Sequence, residues 1–237
     1  LTATREFAAT MEEFDAADAA ITQLVPYLVD IIESRRSKPG DDVLSALLAV
    51  EDDGDTLSPA ELISFVVLLY VAGHETTVNL IGNGVTALLR HPDELRRWRD
   101  DPSLDVTAVD ELLRYDGPVQ QTVRVPMVPF ELGEIDGAPL VVQPGSLLLA
   151  ALGAANRDPA MFDRPDDLRL DRPNAAKHLS FGGGIHYCLG ASLAKLEAGI
   201  AITRLIRRFD TIELAAEPHW RDRITIRGVD RLPLHVR

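Results

Sequence analysis

The chain contains very little cysteine, since Cys188 is the only thiol among 237 residues. A lone thiol excludes an internal disulfide and every zinc or iron–sulfur site that is built from several cysteines. It can still ligate one metal centre as a thiolate, although a buried structural cysteine is the commoner use of this residue. A single cysteine also fits a reducing compartment, which predicts a cytoplasmic protein.

Positive charge is also scarce, with 24 lysines and arginines against 37 aspartates and glutamates and a net charge of −13. This balance argues against nucleic acid as a partner, because phosphates are bound by clustered lysine and arginine. An apolar run from Leu62 to Leu80 has the length of a membrane span, but polar residues interrupt it, among them His74, Glu75, Thr76, Thr77 and Asn79. It therefore predicts a buried helix of a water-soluble protein without a membrane anchor.

The spacing of apolar residues and the positions of capping and turn residues predict a mainly α-helical protein with small β-sheets, an α+β fold. Helices are expected at 5–36, 41–50, 58–90, 92–100, 106–115 and 190–209. Short strands are expected at 121–125, 139–142, 146–151, 211–214, 223–227 and 233–236. Ser58 and Pro59 form a natural N-cap and first turn for the third helix.

The cysteine lies in a glycine-rich segment that is followed at once by a helix-like run. A helix N-terminus stabilises a thiolate, because its free N–H groups and its dipole favour negative charge. The glycines let the backbone approach a flat, bulky group such as a porphyrin. The segment has the spacing F-x-x-G-x-H-x-C-x-G, formed by Phe181, Gly184, His186, Cys188 and Gly190. It resembles the haem-binding loop of the cytochrome P-450 family, the haem-thiolate monooxygenases.

This resemblance implies that Cys188 is the axial ligand of the iron in haem b. It also implies that His186, two residues before the ligand, meets a haem propionate. His178 would either pack near the haem edge or merely sit in the loop, and it ranks below His186. The other residues of the loop that the resemblance places at the cofactor are Phe181, Gly182 and Gly190.

A second motif, Ala72-Gly73-His74-Glu75-Thr76-Thr77, lies inside the predicted long helix. A glycine and two adjacent threonines are poor helix formers, and threonine hydroxyls can bond back to carbonyls, so a loosened turn is expected. An acid and an alcohol there could carry protons to a buried reaction centre; the alternative is a polar patch at a helix contact. The motif resembles the family's A-G-x-[DE]-T. That resemblance implies that Glu75 and Thr76 deliver protons to dioxygen, and that Ala72 and Gly73 leave room for it.

A third motif is Glu111-Leu112-Leu113-Arg114, in which the two charged residues share a helix face. Alone this pattern is weak, because surface helices carry many such pairs. It resembles the family's buried E-x-x-R pair, which an arginine from the loop before the cysteine completes. Arg172 is the candidate for that arginine, and Arg169 is the alternative.

Two further segments resemble the family. Arg124 follows the E-x-x-R helix, where the family uses an arginine to hold a haem propionate; an arginine on a strand surface is the alternative. The turn Ala155-Asn156-Arg157-Asp158-Pro159 resembles the family's A-N-R-D-P. The resemblance runs from about Thr56 to the C-terminus and is strongest to soluble bacterial members of actinomycete type. Residues 1–237 are therefore expected to be the C-terminal portion of a single cytochrome P-450 domain, without the N-terminal portion.

The family implies a monooxygenase that inserts one oxygen atom from O2 into a small apolar organic substrate. Electrons would come from NAD(P)H through a reductase and a ferredoxin-type donor. Basic residues on the last helix could form the docking patch for that donor, or simply complement the helix dipole; they are Lys195, Arg204, Arg207 and Arg208. The alternatives are a truncated, non-catalytic fragment that has no competent haem pocket and a haem-binding protein without oxygenase activity.

Overall fold

A computed structural model describes residues 10–50 and 57–237. They belong to two compact units, Leu1–Glu75 and Thr76–Arg237. The predicted start of the first helix, at residues 5–9, lies outside the described residues.

The first unit contains α1 (Met11–Ser37), α2 (Val43–Ala49) and the front part of α3 (Pro59–Arg90). Asp42 caps α2, because its carboxylate accepts from the N–H of Ser45 at 2.8 Å. Ser58 and Glu61 form a reciprocal capping box at the start of α3: the N–H of Ser58 donates to Glu61 and the N–H of Glu61 donates to the Ser58 hydroxyl. The predicted N-cap at Ser58 is therefore confirmed, and α2 begins at Val43, two residues after the predicted start at residue 41.

The second unit contains the rest of α3, followed by α4 (Pro92–Asp100), α5 (Ala108–Asp116), α6 (Leu152–Ala155) and α7 (Ala191–Arg208). Its hydrophobic core lies where α3, α5 and α7 meet. A Cβ added at Gly84 of α3 would come within 2.9 Å of Leu112 and 3.1 Å of Ile202. Glycine is required there because the three helices pack this closely.

Four two-stranded antiparallel sheets complete the second unit. Their strands are β1 (Thr122–Arg124) with β4 (Leu148–Ala150), β2 (Phe130–Ile135) with β3 (Ala138–Val142), β5 (Ile212–Leu214) with β8 (Leu234–Val236), and β6 (His219–Trp220) with β7 (Val229–Arg231). The β2–β3 hairpin turns at Asp136 and Gly137, whose φ values of 52° and 77° are those of a two-residue hairpin loop.

The mainly α-helical architecture with small sheets agrees with the prediction, but some elements differ. The predicted strand at 223–227 is wrong, because only Ile226 pairs there, in an isolated bridge with Val119. Gly228 follows directly, and the buried Asn79 leaves no space for a side chain at that position. The strands β2, β6 and β7 and the short helix α6 were not predicted.

Most of the long helix α3 before Asn79 is exposed or half-buried, so the prediction of a buried helix from Leu62 to Leu80 is wrong for that part, although Leu62 itself is only 1% exposed. Leu68, Tyr70 and Val78 are exposed, whereas Leu80 and Leu88 are buried members of the core. Within the second unit, Leu80 and Leu88 share the hydrophobic core with side chains of α5 and α7. By length and composition alone α3 could cross a membrane, a test that the core helices of soluble proteins also pass.

Candidate functional site

The cysteine loop, residues 181–190, leads directly into α7. The N–H of Cys188 donates to the carbonyl oxygen of Phe181 at 3.0 Å and closes the loop. Gly182 and Gly184 have φ values of +71° and +64°, which disfavour any residue with a side chain. Cys188 itself is exposed, two residues before the N-cap Gly190. The thiol is therefore accessible at the N-terminal end of an 18-residue helix.

The surface around the thiol is open and apolar. A Cβ added at Gly183, Gly184 or Gly190 would meet no atom within 4 Å. Ile185 and Leu189 are 98% and 81% exposed. Within residues 10–50 and 57–237, no group of three or more His, Cys, Asp or Glu side chains could hold a metal ion. A metal at Cys188 would thus have to arrive in a cofactor that supplies its other ligands, and the single thiol, the glycines and the apolar surface fit a haem.

The chain just before the loop is fixed by a buried amide. Asn156, which is 2% exposed, accepts from the N–H of Leu179 at 2.7 Å and donates to the hydroxyl of Ser180 at 2.8 Å. That hydroxyl donates in turn to the carbonyl oxygen of Leu113 at the end of α5, at 2.7 Å. The A-N-R-D-P turn therefore holds the cysteine loop against α5 through Asn156.

His178 is a buried support of the loop. Its Nδ1 accepts from the N–H of Ser180 at 3.1 Å, so the neutral ring carries its proton on Nε2 and donates to Asp110 at 3.3 Å. The Asp110 carboxylate also accepts from Nζ of Lys195 on α7. The His178 ring packs against Phe181 with 5.6 Å between centroids. His178 thereby links the loop to both α5 and α7.

The pKa of Asp110 lies below its ordinary value of 3.8. Burial alone would raise this pKa, but the hydrogen bonds from His178 and Lys195 and the charge of Lys195 together outweigh it. A lowered carboxyl pKa stabilises the fold above the unfolded-state pKa, and this contribution is lost as the pH falls through the lower, folded-state value.

We therefore expect Asp110→Asn to lower the free energy of unfolding above about pH 4. Below about pH 4 the free energy of unfolding of the variant should fall less steeply with decreasing pH than that of the parent chain. Thermal unfolding measured from pH 7 down to pH 3 tests this expectation. The matched control is Asp93→Asn, which removes an exposed carboxylate of α4 and should leave the acid limb unchanged. If the stability of Asp110→Asn fell as steeply between pH 7 and pH 3 as that of the parent chain, the lowered pKa of Asp110 would not be the source of this pH dependence.

Glu111, Arg114 and Arg172 form a buried ionic cluster, with exposed fractions of 0%, 1% and 2%. Arg114 holds Glu111 in a two-pronged contact, Nε to Oε2 at 2.7 Å and Nη2 to Oε1 at 2.9 Å. Nε of Arg172 reaches both carboxylate oxygens, at 3.1 and 3.0 Å. The remaining guanidinium nitrogens donate to the carbonyl oxygens of Asn156, Asp163, Arg164, Pro165 and Asp167.

The choice between Arg172 and Arg169 is decided by these contacts. Arg172 supplies its guanidinium to the cluster, whereas Arg169 contributes only its backbone N–H, which donates to Glu111 at 2.9 Å. The Arg169 side chain is directed to Asp163 at 3.5 Å. The cluster thus ties α5 to the segment from residue 156 to residue 172, which precedes the cysteine loop.

The second motif lies on α3. Ala72 and Gly73 are exposed and Glu75 and Thr76 are half-buried. The expected loosened turn is wrong, because every residue from Pro59 to Arg90 is α-helical. Each unfavourable residue costs at most about 1 kcal/mol in a helix, and a helix of 32 residues absorbs that cost. The acid and the alcohol are therefore consecutive residues of one regular turn.

The two candidate propionate ligands, Arg124 and His186, lie apart in the sequence, and neither pairs with a carboxylate among the described residues. The Arg124 guanidinium, on β1, bonds only to the Thr122 hydroxyl and the Val123 carbonyl among the described residues. His186 is exposed in the short turn Gly184–His186. Within the described part of the chain, no hydrogen bond joins either of them to Cys188.

The sequence did not predict that four residues support the loop, namely Asp110, Asn156, Ser180 and Lys195. Asn156 was noted only as part of a turn, and Asp110 lies next to Glu111 in the sequence without any motif of its own. The sequence offered one indication of a role for Asp110, namely that a charged residue lies within a helix that was predicted to be buried. Its partners come from positions 178 and 195, which local spacing does not connect.

Comparison with known proteins identifies the family. The family model described as "Cytochrome P450" matches residues 104–222. The chain is 46% identical over 224 residues to Cytochrome P450 107B1 of Saccharopolyspora erythraea, covering 93% of this chain and 54% of that protein. It is 44% identical to the vitamin D(3) 25-hydroxylase of Pseudonocardia autotrophica, with the same coverage of 93% and 54%. The chain spans about half the length of the curated relatives it matches.

Solved structures agree with the sequence relatives. The structure of P450BioI with a ligated acyl carrier protein superposes with a TM-score of 0.91 at 40% identity, covering all of this chain and 59% of that one. PksS of Bacillus subtilis 168 superposes with a TM-score of 0.88 at 38% identity, covering 98% and 59%. The three motifs, the fold and these matches together show that this chain belongs to the cytochrome P-450 family.

Proposed function

We propose that this chain is part of a haem-thiolate monooxygenase that inserts one oxygen atom from O2 into a small apolar organic substrate. The observation that carries the proposal is the exposed thiol of Cys188 on a glycine loop at the N-terminal end of α7. Haem b, when bound, supplies the redox chemistry and the activation of dioxygen that no side chain of this chain can provide. The names of several bacterial relatives support this activity, among them a hydroxylase and a monooxygenase.

The chain's own residues hold and orient the cofactor in this proposal. Cys188 ligates the iron, and Phe181, Gly182 and Gly190 line the face next to it. Arg124 and His186 bind the propionates, because their donors have no carboxylate partner among the described residues and a guanidinium matches a carboxylate. His178 supports the loop and does not bind at the haem edge, because both of its ring nitrogens already form hydrogen bonds, with Asp110 and with the N–H of Ser180.

Glu75 and Thr76 hold and move protons at the oxygen side. Consecutive positions in a regular helix direct the two side chains about 100° apart. The acid and the alcohol therefore lie next to each other on the helix surface. Ala72 and Gly73 lie about one turn earlier, and a Cβ added at Gly73 would meet no atom within 4 Å. The Thr76 hydroxyl donates the proton that the reduction of dioxygen consumes. It regains a proton from Glu75 or from solvent.

Thr76→Ala is expected to uncouple electron consumption from product formation, because the hydroxyl that delivers the proton is lost. NAD(P)H consumption would continue, while product per NAD(P)H would fall roughly tenfold or more, in line with the contribution of a positioned acid–base group. The measurement is the ratio of product to NAD(P)H, with peroxide quantified in parallel. Thr203→Ala on α7 is the matched control; a fully coupled Thr76→Ala enzyme would refute the role.

The electron donor is proposed to be a ferredoxin-type protein with an NAD(P)H-dependent reductase. Of the four basic residues on α7, Lys195 and Arg207 already pair with Asp110 and Asp105, at 2.7 Å each. Arg204 and Arg208 remain exposed. An acidic donor would therefore meet chiefly these two residues. A cytoplasmic location accords with this soluble electron chain and belongs to the same proposal.

A second candidate is that the chain by itself is a non-catalytic piece without a competent haem pocket. The observation that favours it is the exposed apolar surface of the loop and of α3, for example Ile185, Leu189, Leu68 and Tyr70. Such a surface promotes association or aggregation when nothing covers it.

The deciding experiment is the ferrous–CO difference spectrum of the purified chain supplied with haem. A red-shifted Soret band, typical of thiolate-bound haem, is the expected result. Absence of haem uptake would refute the activity for this chain alone. Haem uptake without the thiolate band would refute the assignment of Cys188 as ligand.

A further inference from the structure

The second half of α3 carries a stripe of polar side chains along one face. Thr76, Asn79, Asn83 and Thr86 follow one another at intervals of three, four and three residues. At 3.6 residues per turn these positions fall within an arc of about 80°. Asn79, Asn83 and Thr86 are only 1%, 0% and 2% exposed. A polar stripe this deep in the second unit is unusual, because buried polar groups are costly unless they are hydrogen-bonded.

The two asparagines are incompletely bonded by protein atoms. Among the described residues, neither Nδ2 nor Oδ1 of Asn79 has a partner, and Oδ1 of Asn83 has none. Asn79 lies against the backbone of Gly228, where a Cβ would come within 2.2 Å of its Oδ1. Three amide atoms without a protein partner therefore lie on neighbouring turns of one helix face. Ordered water is the usual partner of such groups.

A surface cavity of about 350 Å³ lies next to the stripe. Its lining includes Thr86, Asp116 and Arg227. Nδ2 of Asn83 donates to the carbonyl oxygens of both Asp116 and Arg227, at 3.2 Å each. The Asn83 amide therefore lies directly behind the cavity wall. Thr86, whose hydroxyl donates to the carbonyl oxygen of Gly82 at 2.8 Å, belongs to both the wall and the stripe.

We propose that buried water molecules bound by Asn79 and Asn83 connect this cavity to Thr76 and supply it with protons. Each proton that leaves the Thr76 hydroxyl is replaced by one from the water at Asn79. That water is reprotonated through the water at Asn83 from solvent in the cavity, so the net donor is bulk water. The catalytic use of this route rests on the proposed monooxygenase function, whereas the water-filled stripe itself does not.

The water route is tested by hydrogen–deuterium exchange of the asparagine side-chain amides, measured by NMR on chain labelled with ¹⁵N-asparagine. The side-chain amide of Asn79 is expected to exchange many times faster than that of Asn156, which is similarly buried but whose Nδ2 and Oδ1 both bond to protein groups. Thr86→Val, which replaces the hydroxyl at the cavity by a methyl group, should slow the exchange of Asn79 at least tenfold. Thr86→Ser should restore it.

The matched control is Thr203→Val, since Thr203 on α7 bonds back to the carbonyl oxygen of Gly199 just as Thr86 does to Gly82. It should leave the exchange of Asn79 unchanged. Exchange of Asn79 as slow as that of Asn156, or exchange that Thr86→Val does not slow, would overturn the water route. If Thr86→Val only destabilises the fold, the side-chain amides of both Asn79 and Asn156 will exchange faster. Asn83→Leu is then the variant that interrupts the water route.

The catalytic use is tested separately in haem-loaded protein. Asn83→Leu should raise the share of electrons lost to peroxide several-fold and alter the solvent deuterium isotope effect, with an unchanged ferrous–CO spectrum. If a variant slowed the exchange of the Asn79 side-chain amide but still converted all consumed NAD(P)H into product, proton supply by this route would be overturned. If the parent chain gives no thiolate spectrum, the monooxygenase proposal fails while the amide exchange still decides the water route.

Discussion

Cys188→Ser is expected to abolish the thiolate-type ferrous–CO spectrum completely. No second cysteine is present to take over the iron, because Cys188 is the only thiol in the sequence. A serine hydroxyl is nearly isosteric but remains protonated at neutral pH, so it cannot provide the same electron donation as a thiolate. The backbone of the loop should persist, because its closing bond runs from the N–H of residue 188 to Phe181 and involves no side chain of residue 188.

The measurement compares the CO spectra of Cys188→Ser and Tyr187→Phe at equal haem content. Tyr187 is exposed in the same loop, and its ring lies 6.3 Å from that of Phe181, a contact that phenylalanine preserves. Tyr187→Phe should keep the parent spectrum. An unchanged thiolate band in Cys188→Ser would show that another group ligates the iron. Loss of the band in both variants would assign the effect to the loop rather than to the thiol.

Glu111→Gln is expected to lower the free energy of unfolding by about 3–5 kcal/mol, the largest stability loss of any single side-chain exchange proposed here. Glu111 is the only carboxylate that contacts two fully buried arginines, Arg114 and Arg172, among the described residues. The neutral amide leaves both guanidinium groups buried without a counter-charge. The penalty of those uncompensated charges, rather than the loss of a net favourable ion pair, accounts for the expected size.

Denaturant unfolding of the parent chain, Glu111→Gln and Asp93→Asn measures this effect. Asp93 and Arg96 form an exposed pair on α4, so Asp93→Asn should change stability by less than about 1 kcal/mol. Adding Arg172→Met to Glu111→Gln should recover part of the loss, because it removes one of the two uncompensated charges. A loss below about 1 kcal/mol in Glu111→Gln would contradict the buried cluster.

Features that depend on neighbouring residues could be predicted from the amino-acid sequence alone. The motif around Cys188, the capping residue Ser58 and the long helix through Glu75 and Thr76 all follow from short spacings and local backbone preferences. Helix ends were predicted to within a few residues because capping is local. Strands were predicted less well: β6 and β7 have only two and three residues, and such short strands carry little local signal.

Which distant side chains contact each other became known from the three-dimensional fold. The sequence left Arg172 and Arg169 as alternatives, and the guanidinium of Arg172 fills the buried position because the segment after residue 163 turns back on α5. The same holds for His178, whose partner Asp110 lies 68 residues away, and for the orphaned amide of Asn79 against Gly228. Packing in the interior brings together groups that no local spacing relates, and the need to satisfy buried polar atoms then fixes their roles.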